Sequence, residues 1–166
     1  MLIREIKAED AENFINLIKQ VESEAKFLLM EAGERKTTPE QQRIQIERLA
    51  QQSNSTILIA EQDEGKLVGY LIANGGKVKR TKHSVYLVIG ILEEYRGQGI
   101  GTALFQRLEE WAINHHITRL ELTVVTQNDA ALALYKKSGF EIEGTKRNSL
   151  MIDGRPYNEY YMSKLL

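Results

Sequence analysis

The spacing of apolar positions changes repeatedly along the chain, and each change marks an element. Leu2, Ile3 and Ile6 stand among charged residues, which predicts a short strand over 2–6. From about 8 to 22 the period turns helical and sets Phe14, Leu17, Ile18 and Val21 on one face. Residues 23–36, SEAKFLLMEAGERK, have no clean period, and Gly33 interrupts them. TPEQ at 38–41 opens a second helix: Thr38 suits the N-cap, Pro39 the first helical position, and Gln41 completes a capping box. Ile44 and Leu49 are its expected core positions.

Two strands follow, STILIAE at 55–61 and KLVGYLIANG at 66–75, joined by a QDEG hairpin turn. The basic stretch VKRTKH at 78–83 reads as a solvated link, because no aromatic residues interleave it. SVYLVIGIL at 84–92 places Val85, Leu87, Ile89 and Ile91 on one face and Ser84, Tyr86, Val88 and Gly90 on the other. Both faces are largely apolar, which predicts a central strand covered on both sides. A glycine turn leads into a strongly amphipathic helix carrying Ile100, Leu104, Leu108 and Trp111. Strand RLELTVV (119–125) and a short helix from Asn128 to Gly139 come next. Two last strands flank IDGR, whose Asp-Gly pair predicts a tight hairpin. No repeat or linker breaks the order, so residues 1–166 read as one α/β domain with a mixed sheet.

Composition narrows the chemistry. A net charge of -1 gives no global attraction to nucleic acid or an anionic membrane, so neither is expected as a partner. The absence of cysteine excludes a thiolate metal site and a cysteine nucleophile on this chain, and the three scattered histidines do not form a metal site. The segment MLIREIKAED is charged and alternating, unlike a signal peptide, and no apolar run approaches membrane-spanning length. A cytoplasmic location is the corresponding expectation.

YRGQGIG at 95–101 is the chemically loaded stretch. Set between a strand and a helix, its glycines allow a tight turn and close approach by a ligand. Amides of the turn and of the first helical turn attract phosphate, and Arg96 adds a cation at the mouth. The spacing of Gly97, Gly99 and Gly101 is wrong for a dinucleotide fingerprint, and no lysine follows as a P-loop requires. The setting suits a pyrophosphate.

RGQGIG at 96–101 resembles the acyl-coenzyme A motif of the GNAT family of N-acetyltransferases, Arg or Gln, two residues, Gly, one residue, then Gly or Ala. NDAALALYKKSGF, Asn128 to Phe140, resembles that family's second signature. The element order agrees across essentially the whole chain. The resemblance implies an acyl-CoA N-acyltransferase fold: a mixed, mostly antiparallel sheet of six to seven strands flanked by four helices. It also implies an acetyl-CoA co-substrate, no metal, and acetyl transfer by direct attack of an amine. Arg96, Gly97, Gln98, Gly99, Ile100, Gly101 and Thr102 would then hold the pyrophosphate. Ile89, Gly90 and Ile91 would offer backbone groups to the pantetheine arm, between two strands that splay apart. Asn128 would contact pantetheine, and Tyr135 would protonate the departing thiolate. Glu93 stands where many members have proline.

The general base stays open between His83, at the start of the central strand, and Glu121; Glu143 is a further strand acid. His115 and His116 suit the negative end of their helix. The acceptor, an amine on a polyamine-like small molecule or on a protein N-terminus or lysine, is expected among the 23–37 segment, the 75–83 turn and the C-terminal hairpin. That hairpin offers Tyr157, Glu159, Tyr160 and Tyr161. A regulatory domain that binds acyl-CoA without turnover is the alternative, and exposed late-strand edges leave a homodimer open.

Overall fold

The computed structural model describes residues 1–166. Its elements run β1 (Leu2–Glu5), α1 (Ala11–Glu24), α2 (Pro39–Ala50), β2 (Thr56–Glu61), β3 (Leu67–Gly75) and β4 (Ser84–Ile91). They continue with α3 (Ile100–Asn114), β5 (Arg119–Val125), α4 (Asp129–Lys137), β6 (Glu141–Ile152) and β7 (Arg155–Leu165). This is the order the apolar spacing predicts. The seven strands form one sheet in the order β1-β2-β3-β4-β5-β7-β6. Every neighbouring pair is antiparallel except β4 and β5, which α3 connects as a parallel crossover.

Local chemistry accounts for the boundaries. Thr38 Oγ1 accepts from the Gln41 amide at 3.2 Å, and Gln41 Oε1 accepts from the Thr38 amide at 3.0 Å, so the capping box forms as read. Asp153 and Gly154 turn the last hairpin with φ of 51° and 75°, the left-handed pair a two-residue turn needs. All the buried apolar side chains except Val125 and Tyr157 form one continuous cluster that runs from α1 through the sheet to α3. No helix is long and apolar enough to cross a membrane.

Two expectations fail here. Ile44 is 41% exposed, and Ile46 (3%) takes the core position of α2 instead. Two isoleucines two residues apart cannot share a helix face, and the face that meets α1 is the one bearing Gln42, Ile46 and Leu49. Strand β4 is covered on its Tyr86 face only at the Gly90 end, where that glycine is buried. Val85 and Leu87 are buried, whereas Tyr86 and Val88 on the opposite face are 39% and 37% exposed. Helix α1 reaches β3 and the end of β4 but does not cover the middle of this strand.

The ladder between β4 and β5 positions the site. It holds three pairs, Ser84 with Arg119, Val85 with Leu120 and Tyr86 with Glu121. Strand β4 keeps its pairing with β3 as far as Ile91, and β5 stays paired with β7 as far as Val125. Beyond Tyr86 and Glu121 the two central strands therefore part, and the sheet opens into a V.

Candidate active site

The V opens toward the glycine turn. After β4 the chain makes a short 3-10 turn over Glu93–Tyr95 and reaches Gly97 and Gly99 with φ of 74° and 83°. Only glycine adopts this left-handed geometry at little cost. A Cβ built at either position meets nothing within 4 Å, so the backbone is bare on its outer side. Gly99 is the N-cap of α3 and gives no side-chain cap, and the first intrahelical bond is Ala103 N–H to Gly99 C=O. The amides of Ile100, Gly101 and Thr102 are therefore left for a ligand. Arg96 Nε donates to the Ile91 carbonyl at 3.2 Å, which holds its guanidinium at the mouth of the turn. Gly101 has a different reason to be glycine: a Cβ there would lie 2.7 Å from Leu134 Cδ2, so it lets α4 pack closely on α3.

A cleft of about 660 Å³ runs from this turn along the end of β4 to α4 and the C-terminal end of α1. Ile89, Gly90, Ile91, Arg96, Gly97, Gly99, Ile100, Gly101, Thr102, Asn128 and Tyr135 all line it. Of the residues expected on the coenzyme, Gln98 alone is absent from the wall; its Nε2 donates instead to the Glu94 carbonyl at 3.2 Å. Lys26 and Lys137 also reach the cleft, two cations the motifs did not single out. Glu93, where proline is common, gives its N–H to Glu24 Oε1 at 2.9 Å, a bond proline could not make.

Tyr135 is buried, edge-on to Phe105 with ring centroids 5.9 Å apart. Burial pushes its phenol well above the ordinary range, and the neighbouring phenols Tyr86 and Tyr70 push the same way. It is held as a neutral O–H donor. Asn128 caps α4 as expected, its Oδ1 accepting from the Ala131 amide at 3.3 Å. That leaves its amide nitrogen as the free donor on the cleft wall.

The base candidates lie elsewhere. His83 is exposed at the closed end of the V, where its carbonyl accepts from the Thr118 and Arg119 amides at 2.9 and 3.3 Å. Glu121 lies on a second, smaller cavity and pairs with Arg119 at 3.0 Å. Arg119 also holds Glu143 at 2.5 Å, which keeps that carboxyl below its usual range. Glu24 is the one carboxylate on the main cleft wall. His115 Nδ1 is bound to the Trp111 carbonyl at 2.7 Å and its ring stacks on the indole, a satisfied helix end.

Two of the three expected acceptor elements come together. Phe27, in the irregular segment, meets Tyr157 of β7 with centroids 5.7 Å apart, and Lys26 Nζ lies over both rings at 5.5 and 5.8 Å. Arg35 forks onto the buried Glu22 at 2.8–3.1 Å and ties the far end of that segment to α1. The 75–83 turn is not part of this wall. Asn54 Nδ2 donates to the Gly76 and Lys82 carbonyls and holds it at the opposite end of the sheet.

Known proteins share this architecture. The acetyltransferase (GNAT) family model matches residues 18–140. The L-amino acid N-acetyltransferase AaaT of Escherichia coli is 33% identical over 120 residues, which is 72% of this chain and 74% of that protein. A crystal structure of a GNAT-family acetyltransferase from Streptococcus pneumoniae superposes with a TM-score of 0.95 at 34% identity, covering 99% of both chains. The ribosomal-protein-alanine N-acetyltransferase of Brucella melitensis superposes with a TM-score of 0.85 at 27% identity over 100% of both chains. A glycine turn, a split between β4 and β5 and a buried phenol thus occur in a chain that belongs to the acetyltransferase (GNAT) family and, by that membership, is an acetyl-CoA-dependent acyltransferase.

Proposed function

We propose that this protein acetylates a primary amine, on a small molecule or at a protein N-terminus or lysine. The observation that carries the reading is the three-pair ladder between β4 and β5, which opens a walled cleft from an uncapped helix start to a neutral buried phenol. The bare turn at Gly97 and Gly99 fits a pyrophosphate, because substituents there would fill the space a ligand needs.

Acetyl-CoA supplies an activated thioester. The chain's residues divide the rest of the work. Amides of Gly97 and Gly99 to Thr102, with Arg96, bind the pyrophosphate. The edge of β4 freed beyond Tyr86 gives backbone groups to the arm from Ile89 to Ile91, and Asn128 donates to it from the other wall. Transfer forms one N–C bond and breaks one C–S bond. The amine gives up a proton, and Tyr135 O–H supplies one to the thiolate. With His83 and Glu121 both away from the cleft, the amine's proton leaves to water at the open mouth, and water returns one to the Tyr135 phenolate.

The E. coli relative acts on L-amino acids and the Brucella enzyme on a ribosomal-protein alanine, so α-amines head the acceptor list. The aromatic edge of Phe27 and Tyr157 is the entry on this side. The experiment is a panel of amino acids, N-terminal peptides, lysine peptides and polyamines, read by release of free thiol from acetyl-CoA. Release with at least one amine well above hydrolysis is the expected result. Tight acetyl-CoA binding with no release across the panel would overturn turnover of amines.

A further inference from the structure

The V between β4 and β5 ends in a side-chain bridge that the reaction described above does not use. Just past the last backbone pair, Tyr86 Oη and Thr123 Oγ1 lie 2.7 Å apart and tie the two strands together across the gap. On the other face of the sheet the same level is filled by Leu87 and Leu122, each 3% exposed. The blind end is thus closed on both faces. From Tyr86 to Ile89, where the main cleft wall begins, is about 10 Å of strand at the usual rise per residue.

The bridge pair also lines the second cavity, of about 340 Å³, together with Tyr161, Met162 and the ion-paired Arg119, Glu121 and Glu143. No residue lines both cavities. Tyr86 and Thr123 line the second cavity and not the main cleft.

We propose that Tyr86 and Thr123 are specificity-determining residues that close the acyl end of the cleft and restrict the donor to the two-carbon acetyl group. This rests on the coenzyme lying in the main cleft as described above. A chain longer by one or two methylenes meets the tyrosine ring and the threonine methyl. A smaller residue at 123 opens the way into the second cavity.

The test compares acetyl-, propionyl- and butyryl-CoA with one fixed amine, in the wild type, Thr123→Ala and Tyr86→Phe. Discrimination by a methylene is on the order of tenfold or more, so wild-type kcat/KM falls at least tenfold from acetyl to butyryl. Thr123→Ala raises the butyryl-to-acetyl ratio about tenfold, and Tyr86→Phe, which keeps the ring but loses the tie, raises it less. Calorimetric titration without acceptor gives an independent readout: wild type binds butyryl-CoA more weakly than acetyl-CoA, and Thr123→Ala narrows the difference. The inference is overturned if wild type uses butyryl-CoA within threefold of acetyl-CoA. It is also overturned if both variants keep both ratios within threefold of wild type, including when only the amine's KM moves. Failure of wild type to bind acetyl-CoA would instead remove the cleft reading itself, and this inference with it.

Discussion

Two residues show how single atoms set this site. Burial raises the Tyr135 phenol, so it keeps its proton across the working range, and the proposed role is to pass that proton to the departing thiolate. Tyr135→Phe removes that proton and little volume. Loss of a positioned acid costs on the order of 100-fold in kcat, with acetyl-CoA affinity within about twofold by calorimetry. Equal turnover of the two proteins would remove Tyr135 from the proton path. Gly90 works by absence. A Cβ at Gly90 would lie 2.5 Å from Tyr70 Cζ, and that ring is itself pinned edge-to-face on Phe14 at 5.7 Å. Gly90→Ala therefore overpacks the sheet and lowers stability by about 1–3 kcal/mol, against the modest gain alanine gives through the unfolded chain. Urea unfolding measures it, and pairing the change with Tyr70→Leu is less than additive if the ring is the obstacle.

At the scale of elements, the Glu22–Arg35 ion pair fixes the far end of the irregular 25–38 segment. Glu22 is 6% exposed on α1, and Arg35 covers it with both Nε and Nη2. Arg35→Ala leaves a buried carboxylate without its partner and costs about 1–3 kcal/mol. Because the other end of the segment carries Phe27 against Tyr157, the acceptor's KM rises as well, while acetyl-CoA affinity holds. Glu22→Gln combined with Arg35→Met recovers most of the stability but not the KM, which separates folding from acceptor binding. This pair also marks the limit of what sequence can reveal. The two blocks from Arg96 and from Asn128 were legible because each keeps its chemistry within a few neighbouring residues. Every element was legible too, since periodicity is local. The Arg35–Glu22, Phe27–Tyr157 and Tyr86–Thr123 contacts join residues 13, 130 and 37 apart, and no local pattern encodes them. Strand β4 misled for a related reason. Tyr86 and Val88 are apolar enough for a covered face, and only the placement of α1 leaves them exposed instead.

Across the whole molecule, one apolar cluster spans α1, the sheet and α3, so the chain is expected to unfold in a single transition whose midpoint depends on pH at both ends. On the acid side the hydrogen bond from Arg4, above all, holds the Asp10 carboxyl below its ordinary range, with Arg4 at 2.8 Å and also bound to Glu61. The unfolded chain then binds protons at a higher pH than the folded one. Stability from this group is complete above the ordinary carboxyl range and is lost as the pH falls through the lowered one, below about pH 4. On the alkaline side the order reverses. Burial, with the charge of Glu22 adding to it, pushes Tyr70 up to about 12, and Tyr135 is raised in the same direction. Folded phenols keep protons that unfolded ones lose from about pH 10, so stability falls as the pH rises through that window. Urea midpoints measured from pH 3 to 11 should form a plateau with two falling limbs. Asp10→Asn flattens the acid limb and leaves the alkaline one; Tyr70→Phe does the opposite. If either substitution lowers the plateau without changing the slope of its own limb, the group contributes packing alone, and its titration plays no part in stability.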